Sequence, residues 1–117
     1  MKPKELLNTR VRLKEADVVK QCVEHMHSIG WRPRRNHVGT FYTKHHTPIA
    51  MGEDGEPDWT FVHPRNPAVW IEFKKPGKSP EKHQLEFMAK LQYLGYKAGW
   101  ADSYESFLSL LKRWEIS

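Results

Sequence analysis

The chain has 117 residues, with 19 Lys and Arg against 14 Asp and Glu, a formal net charge of +5 and a pI of about 9.4. That length holds one hydrophobic core and excludes two; the single Cys22 excludes an internal disulfide and starves a cysteine-based zinc site of ligands. No stretch approaches membrane-spanning length, so the chain reads as soluble, unexported and suited to a reducing cytoplasm. The positive balance favours a polyanionic partner, nucleic acid before an acidic membrane, because neither a basic amphipathic helix nor an anchor stands out.

Residues 1–12 carry Lys2, Lys4, Arg10 and Arg12 among few apolar side chains and read as a basic arm, leaving 13–117 as one domain. Over residues 13–29, Val18, Val19, Cys22, Val23, Met26 and Ile29 recur at three- and four-residue steps. This predicts a helix with one core-facing stripe, closed by Gly30. Glu15 lies in its first turn, where an acid complements the helix dipole. Residues 31–36 and 40–44 read as extended pieces, the first at a sheet edge because Pro33 has no N–H to give a ladder. In them Trp31, Phe41 and Tyr42 alternate with Arg32, Arg34, Arg35 and Lys44. Such a mixture suits phosphates and exposed bases, unless the aromatics are core and the arginines a solvated face. Residues 45–56 show no periodicity and read as a loop whose acidic Gly52-Glu53-Asp54-Gly55 leads into Asp58.

The centre of the chain is a hairpin. Residues 57–62 and 69–74 are rich in aromatic and β-branched side chains, with a Pro- and Asn-bearing turn between them. Alternation places Val69, Ile71 and Phe73 on one face of the second strand, and Trp70, Glu72 and Lys74 on the other. Antiparallel pairing brings Asp58, at the start of one strand, towards Glu72 and Lys74 at the end of its partner. Two carboxylates beside an ammonium are hard ligands for Mg²⁺ or Mn²⁺ with room left for a phosphate, although Glu-x-Lys on a strand is also a common exposed ion pair. Further on, Ser79 as N-cap, Pro80 at the first position and Glu81 next mark a helix start, with Leu85, Met88, Leu91 and Leu94 as its apolar stripe and Gly95 as its end. Gln84 sits about one turn in. Residues 97–101 read as a strand, Asp102 or Ser103 as a cap, and Phe107, Leu108, Leu111 and Trp114 as the face of a last helix. The seven histidines show no zinc spacing, and there is no phosphate loop ending in Gly-Lys-Ser/Thr.

Gly55-Glu56-Pro57-Asp58, then Trp70-Ile71-Glu72-Phe73-Lys74, Gly77-Lys78-Ser79-Pro80 and Gln84 together resemble the PD-(D/E)xK nuclease core. More specifically they resemble the VRR-NUC (virus-type replication-repair nuclease) domain in its stand-alone phage and bacterial form. Glu15, Arg35-Asn36-x-x-Gly39 and Ala101-Asp102-Ser103 fall in the same family's order, so the resemblance covers roughly residues 13–114. It implies an α/β, restriction-endonuclease-like core in which a mixed central β-sheet is flanked by α-helices. It implies Mg²⁺, with Mn²⁺ as substitute, held by Asp58, Glu72 and the backbone carbonyl of Phe73. Lys74 then handles the nucleophile or the transition state, Gln84 supports the water or a carboxylate, and Glu15 approaches the metal.

The function expected is a structure-selective DNA endonuclease acting at four-way (Holliday) junctions or other branched DNA, in repair and recombination. The cytoplasm in question is a host's if a phage encodes the chain. Arg32, Arg34, Arg35, Asn36, Lys75 and Lys78 are the expected nucleic-acid contacts. A catalytically silent DNA-binding module and an RNA-directed nuclease are the alternatives. One chain supplies one Asp-Glu-Lys trio, whereas symmetrical cutting of a junction needs two, which points to a twofold homodimer. Trp31, Phe41, Tyr42, Trp100 and Trp114 are more aromatic surface than one small core hides, and interfaces favour such residues.

Overall fold

Helix α1 spans Glu15–Ser28 and buries Val18, Cys22 and Met26, each four residues from the next. Burial raises the Cys22 thiol to about 12, so it is an inert part of the packing. Gly30 takes a positive φ of 93°. The turn that follows is closed by bonds from the Gly30 N–H to the His27 carbonyl and from the Trp31 N–H to the Met26 carbonyl. The computed structural model of the chain describes residues 15–36, 39–42, 48–51 and 55–117, with the backbone alone for 39–42 and 48–51. The basic arm, the acidic residues 52–54 and the side chains of Phe41, Tyr42 and Lys44 lie outside the described residues.

Four strands make the main sheet: β1 (Arg32–Arg35), β4 (Trp59–Val62), β5 (Val69–Phe73) and β6 (Lys97–Ala101), side by side in that order. β1 and β4 pair antiparallel, as do β4 and β5, while β5 and β6 run parallel. The sheet is therefore mixed, as expected, and β1 with its Pro33 is an edge. Two strands lie apart from it. β2 (Gly39–Tyr42) pairs antiparallel with β3 (Pro48–Met51) in a separate two-stranded sheet. This corrects the reading of 45–56 as a loop and of a single sheet: Pro-Ile-Ala-Met is too short to show a period, and its strand character comes from the partner across the ladder.

Helix α2 spans Lys82–Tyr93 and α3 spans Tyr104–Arg113. Val69, Ile71 and Phe73 of β5 are all fully buried, and with Phe61, the buried face of α1, and Phe107, Leu110 and Leu111 of α3 they form the core. Gly99 of β6 lies against α3 so closely that a Cβ there would stand 2.8 Å from Leu110. Ala98 points the opposite way along the strand, so it and Met88 of α2 are buried on the other face, and the sheet lies between α1 with α3 and α2.

Three helix expectations change. The α2 cap is Glu81, not Ser79. The Glu81 N–H donates to Gln84 Oε1 at 2.8 Å; with Ser79 as cap, the matching position would be Lys82, which has no acceptor to offer. Of the α2 stripe only Met88 is buried, while Leu85 and Leu94 are 45% and 67% exposed, because an edge strand gives the helix little surface to cover. In α3, Leu110 takes the buried place expected for Leu108, being three residues from Phe107 and so on the same face. Trp31 is 3% exposed and packs its ring 5.0 Å from that of His63, which makes it core and removes it from the candidate surface aromatics.

Candidate active site

The β4–β5 register opposes Trp59 to Ile71, which puts the preceding Asp58 across from Glu72. The Asp58 backbone N–H donates to Glu72 Oε2 at 2.9 Å. Glu72 is almost fully buried at 2% exposure. Its other oxygen, Oε1, accepts from Gln84 Nε2 at 3.3 Å and lies 3.8 Å from Lys74 Nζ. Lys74 is positioned by its own backbone N–H, which continues the β5–β6 pairing to the Ala101 carbonyl. Glu15, first residue of α1, completes the group: one carboxylate oxygen from each of Glu15, Asp58 and Glu72 lies within 4.8 Å of the others. Asp58, Glu72, Lys74, Gln84 and Glu15 are thus brought to one place from four separate elements or their ends. Phe73 gives its ring to the core, 6.2 Å from Phe107, so it can face the site through its backbone alone.

Burial raises the Glu72 carboxyl from 4.5 to about 7, and the nearby Asp58 and Glu15 charges add to this against the Asp58 N–H and Lys74, which lower it. Three converging carboxylates with one ammonium are short of positive charge. Hard oxygen donors in that state fit a divalent cation such as Mg²⁺ or Mn²⁺, which relieves the repulsion.

The α2 end of the site depends on Gly55. It has a φ of 88°, and a Cβ on it would stand 2.6 Å from the His83 carbonyl oxygen, so only glycine lets the chain before Asp58 pass beneath the first turn of α2. That approach holds Gln84 over Glu72.

The expected nucleic-acid contacts separate into three sets. Arg32, Arg34 and Arg35 are exposed along the edge strand, with the Arg35 guanidinium 6.0 Å from the centre of the Trp59 ring. Lys75 and Lys78 lie in an exposed turn after β5, closed by a Lys78 N–H to Lys75 carbonyl bond and fastened to the end of β6 by a bond from the Gly77 N–H to Asp102 Oδ2. Asn36 is different. Its side-chain amide donates to the Pro57 carbonyl at 2.9 Å and to Thr60 Oγ1 at 2.7 Å, and its N–H donates to the Asp58 carbonyl at 2.6 Å. The amide grips the Asp58 turn instead of facing solvent. The sequence marked Asn36 only through Arg35-Asn36-x-x-Gly39 and as a nucleic-acid contact; its approach to the Asp58 turn comes from the pairing of β1 with β4.

Val19 and Val23, expected in the core stripe, are half-buried and line a cleft beside the acids together with Trp59. The width of the apolar stripe on α1, with neighbours at 18 and 19 and at 22 and 23, was the sequence signal for it.

A mixed sheet between helices with converging carboxylates at one end of its central hairpin defines an α/β, restriction-endonuclease-like fold. The same fold is found in a solved structure described as a VRR_NUC domain, with a TM-score of 0.65 and 21% identity over 86% of this chain and 96% of that one. This chain has the VRR-NUC fold. No family model matches the sequence, and comparison with curated proteins finds no match. Among the described residues no helix is long and apolar enough to cross a membrane.

Proposed function

We propose that the chain is a divalent-metal-dependent endonuclease that hydrolyses phosphodiester bonds in DNA, branched or four-way-junction DNA above linear duplex. The observation that carries this is the meeting of Glu15, Asp58 and Glu72 within 4.8 Å, with Lys74 and Gln84 both on Glu72. Asp58 and Glu72, with Glu15 and the Phe73 carbonyl, would hold Mg²⁺ or Mn²⁺. When bound, the ion polarises the scissile phosphate and lowers the pKa of a water.

The chain's own groups do the rest. The Asp58 N–H and the Gln84 amide each hold one oxygen of Glu72, which fixes the carboxylate plane. The Lys74 ammonium, partly exposed beside it, orients the attacking water and offsets the charge that grows on the phosphate as the new P–O bond forms and the leaving oxygen departs with its electron pair. The Arg32 to Arg35 edge and the Lys75–Lys78 turn supply phosphate contacts, and the basic arm of residues 1–12 adds to them ahead of a nuclease domain of residues 13–117. The choice of DNA and of a branched substrate follows the family resemblance; the pairing of two copies about a twofold axis follows from the two cuts a junction needs, and a cytoplasmic site of action from the single cysteine.

The test is a cleavage assay on linear duplex, flap and four-way-junction DNA, and on the matching RNA, with Mg²⁺ and with EDTA. Wild type should cut only with the metal. Lys74→Ala should lose on the order of 10²-fold or more in rate and keep DNA binding. Full activity in purified Lys74→Ala would overturn the mechanism, and metal-independent DNA binding without cleavage would leave a silent binding module.

A further inference from the structure

A cleft of about 450 Å³ adjoins the acidic cluster. Glu15 and Asp58 belong to both, and the cleft continues over Val19 and Val23 of α1 to Trp59 and Arg35. Val19, Val23 and Trp59 rest against the core on one side and are only half-buried, so each leaves apolar surface in the cleft. The Arg35 guanidinium lies over the indole, 6.0 Å from its centre. Lys20 and Glu24, both exposed, stand in the lining with a donor and an acceptor.

Phosphodiester hydrolysis uses the carboxylate end of this space and has no need of an indole and two valines. A nucleobase does. Bases stack on aromatic side chains whatever their sequence, and guanidinium groups add to that contact. The volume lies within the range of about 300–1,000 Å³ for sites that enclose small molecules. The backbone of the same strand would place its phosphate at the acidic end, with Arg35 and Lys20 balancing its charge. A base inside a continuous duplex can reach such a site only by leaving its stack, which is unfavourable, whereas an unpaired base has little to lose.

We infer that this cleft is a nucleobase subsite: one unpaired nucleotide next to the scissile phosphate seats its base against Trp59, and the enzyme thereby selects DNA with unpaired nucleotides at the point of cleavage over continuous duplex. This rests on the nuclease reading of the acidic cluster and names the substrate class within it.

The probe is 2-aminopurine, placed as an unpaired nucleotide in a bulge or at a flap base and, for comparison, within matched duplex. Lys74→Ala protein serves as the binding form, with saturation followed separately by anisotropy of an end label. Stacking on Trp59 should quench the unpaired probe on binding, and Trp59→Leu in the same background should abolish the quench. Because Trp59 also packs on the core, a second variant fills the cleft and leaves the indole in place. Val23→Phe, in otherwise wild-type protein, should retain Mn²⁺ binding by calorimetry while losing about tenfold or more in kcat/KM on bulged or flapped DNA. No quench of the unpaired probe at saturation, or a Val23→Phe enzyme with the wild-type preference for unpaired over duplex substrates, would overturn the subsite. Failure of the nuclease reading shows itself differently, as wild-type protein that neither binds Mn²⁺ nor cuts any substrate, and the quench still decides whether a base enters the cleft.

Discussion

Glu72 is a carboxylate that the fold holds out of water before any ion reaches it. With its carboxyl raised to about 7 from 4.5, chiefly by burial, the folded chain keeps a proton there that the unfolded chain has released. The metal-free protein should therefore lose stability as pH rises from about 4.5 to about 7, and the loss should level off above that, where Glu72 is ionised in both states. Urea midpoints in EDTA across this window should fall for wild type and fall less steeply for Glu72→Gln; parallel curves would show that the residue does not titrate in this way. Metal binding must displace the same proton, so Mn²⁺ affinity should rise through the same range. Asn36 acts on the other acid. Its three bonds to Pro57, Asp58 and Thr60 make it a positioning residue for the Asp58 turn. Asn36→Ala should lower Mn²⁺ affinity by about tenfold, as the loss of an outer-shell partner does, with cleavage restored by excess metal. DNA affinity at fixed salt separates the two roles: Asn36→Ala protein that binds Mn²⁺ like wild type but has lost affinity for DNA would make Asn36 a direct DNA contact instead.

At the scale of elements, the hairpin of β4 and β5 delivers two acids and the lysine, and α2 delivers Gln84 only because Gly55 lets it come close. Gly55 and Gly77 share a positive φ, 88° and 83°, but a Cβ at Gly77 would meet nothing within 4 Å. Gly77→Ala should carry only the backbone strain, about 1–3 kcal/mol. Gly55→Ala should carry that strain plus a collision with the α2 backbone, so it should unfold at lower urea than Gly77→Ala and speed hydrogen exchange over the first turn of α2. Equal midpoints for the two variants would mean that α2 can shift away without loss.

For the whole molecule, symmetrical cutting of a junction calls for two copies, since the described residues hold one acidic cluster and a junction presents two strands to be cut. Trp31 is buried in the core and Trp114 is packed against it, so neither is free to serve as interface surface. Light scattering at micromolar concentration should nevertheless report about twice the chain mass of 13.8 kDa. A strict monomer with and without junction DNA would remove the dimer and move the substrate towards flaps or single strands, leaving the cluster chemistry as it is.

Period-two alternation over residues 69–74 and the Gly and Pro punctuation around them determined the hairpin, the facing of Glu72 away from the core and the approach of Asp58, because strand geometry converts spacing directly into direction. Helix periodicity likewise located α1, α2 and α3. Contacts made across the fold decided the rest. β3 became a strand through its pairing with β2; the buried Glu72 found its partners in the Asp58 N–H and in Gln84 of α2, which come from elsewhere in the chain; and the Asn36 amide turned inward because β1 pairs with β4 and carries it to the Asp58 turn. Whether an apolar side chain on α1 or α3 meets the core or a cleft depends on what packs opposite, and no residue's own neighbours in the chain specify that. Local sequence sets which way a side chain leaves its own element, and only the packed whole sets what it meets there.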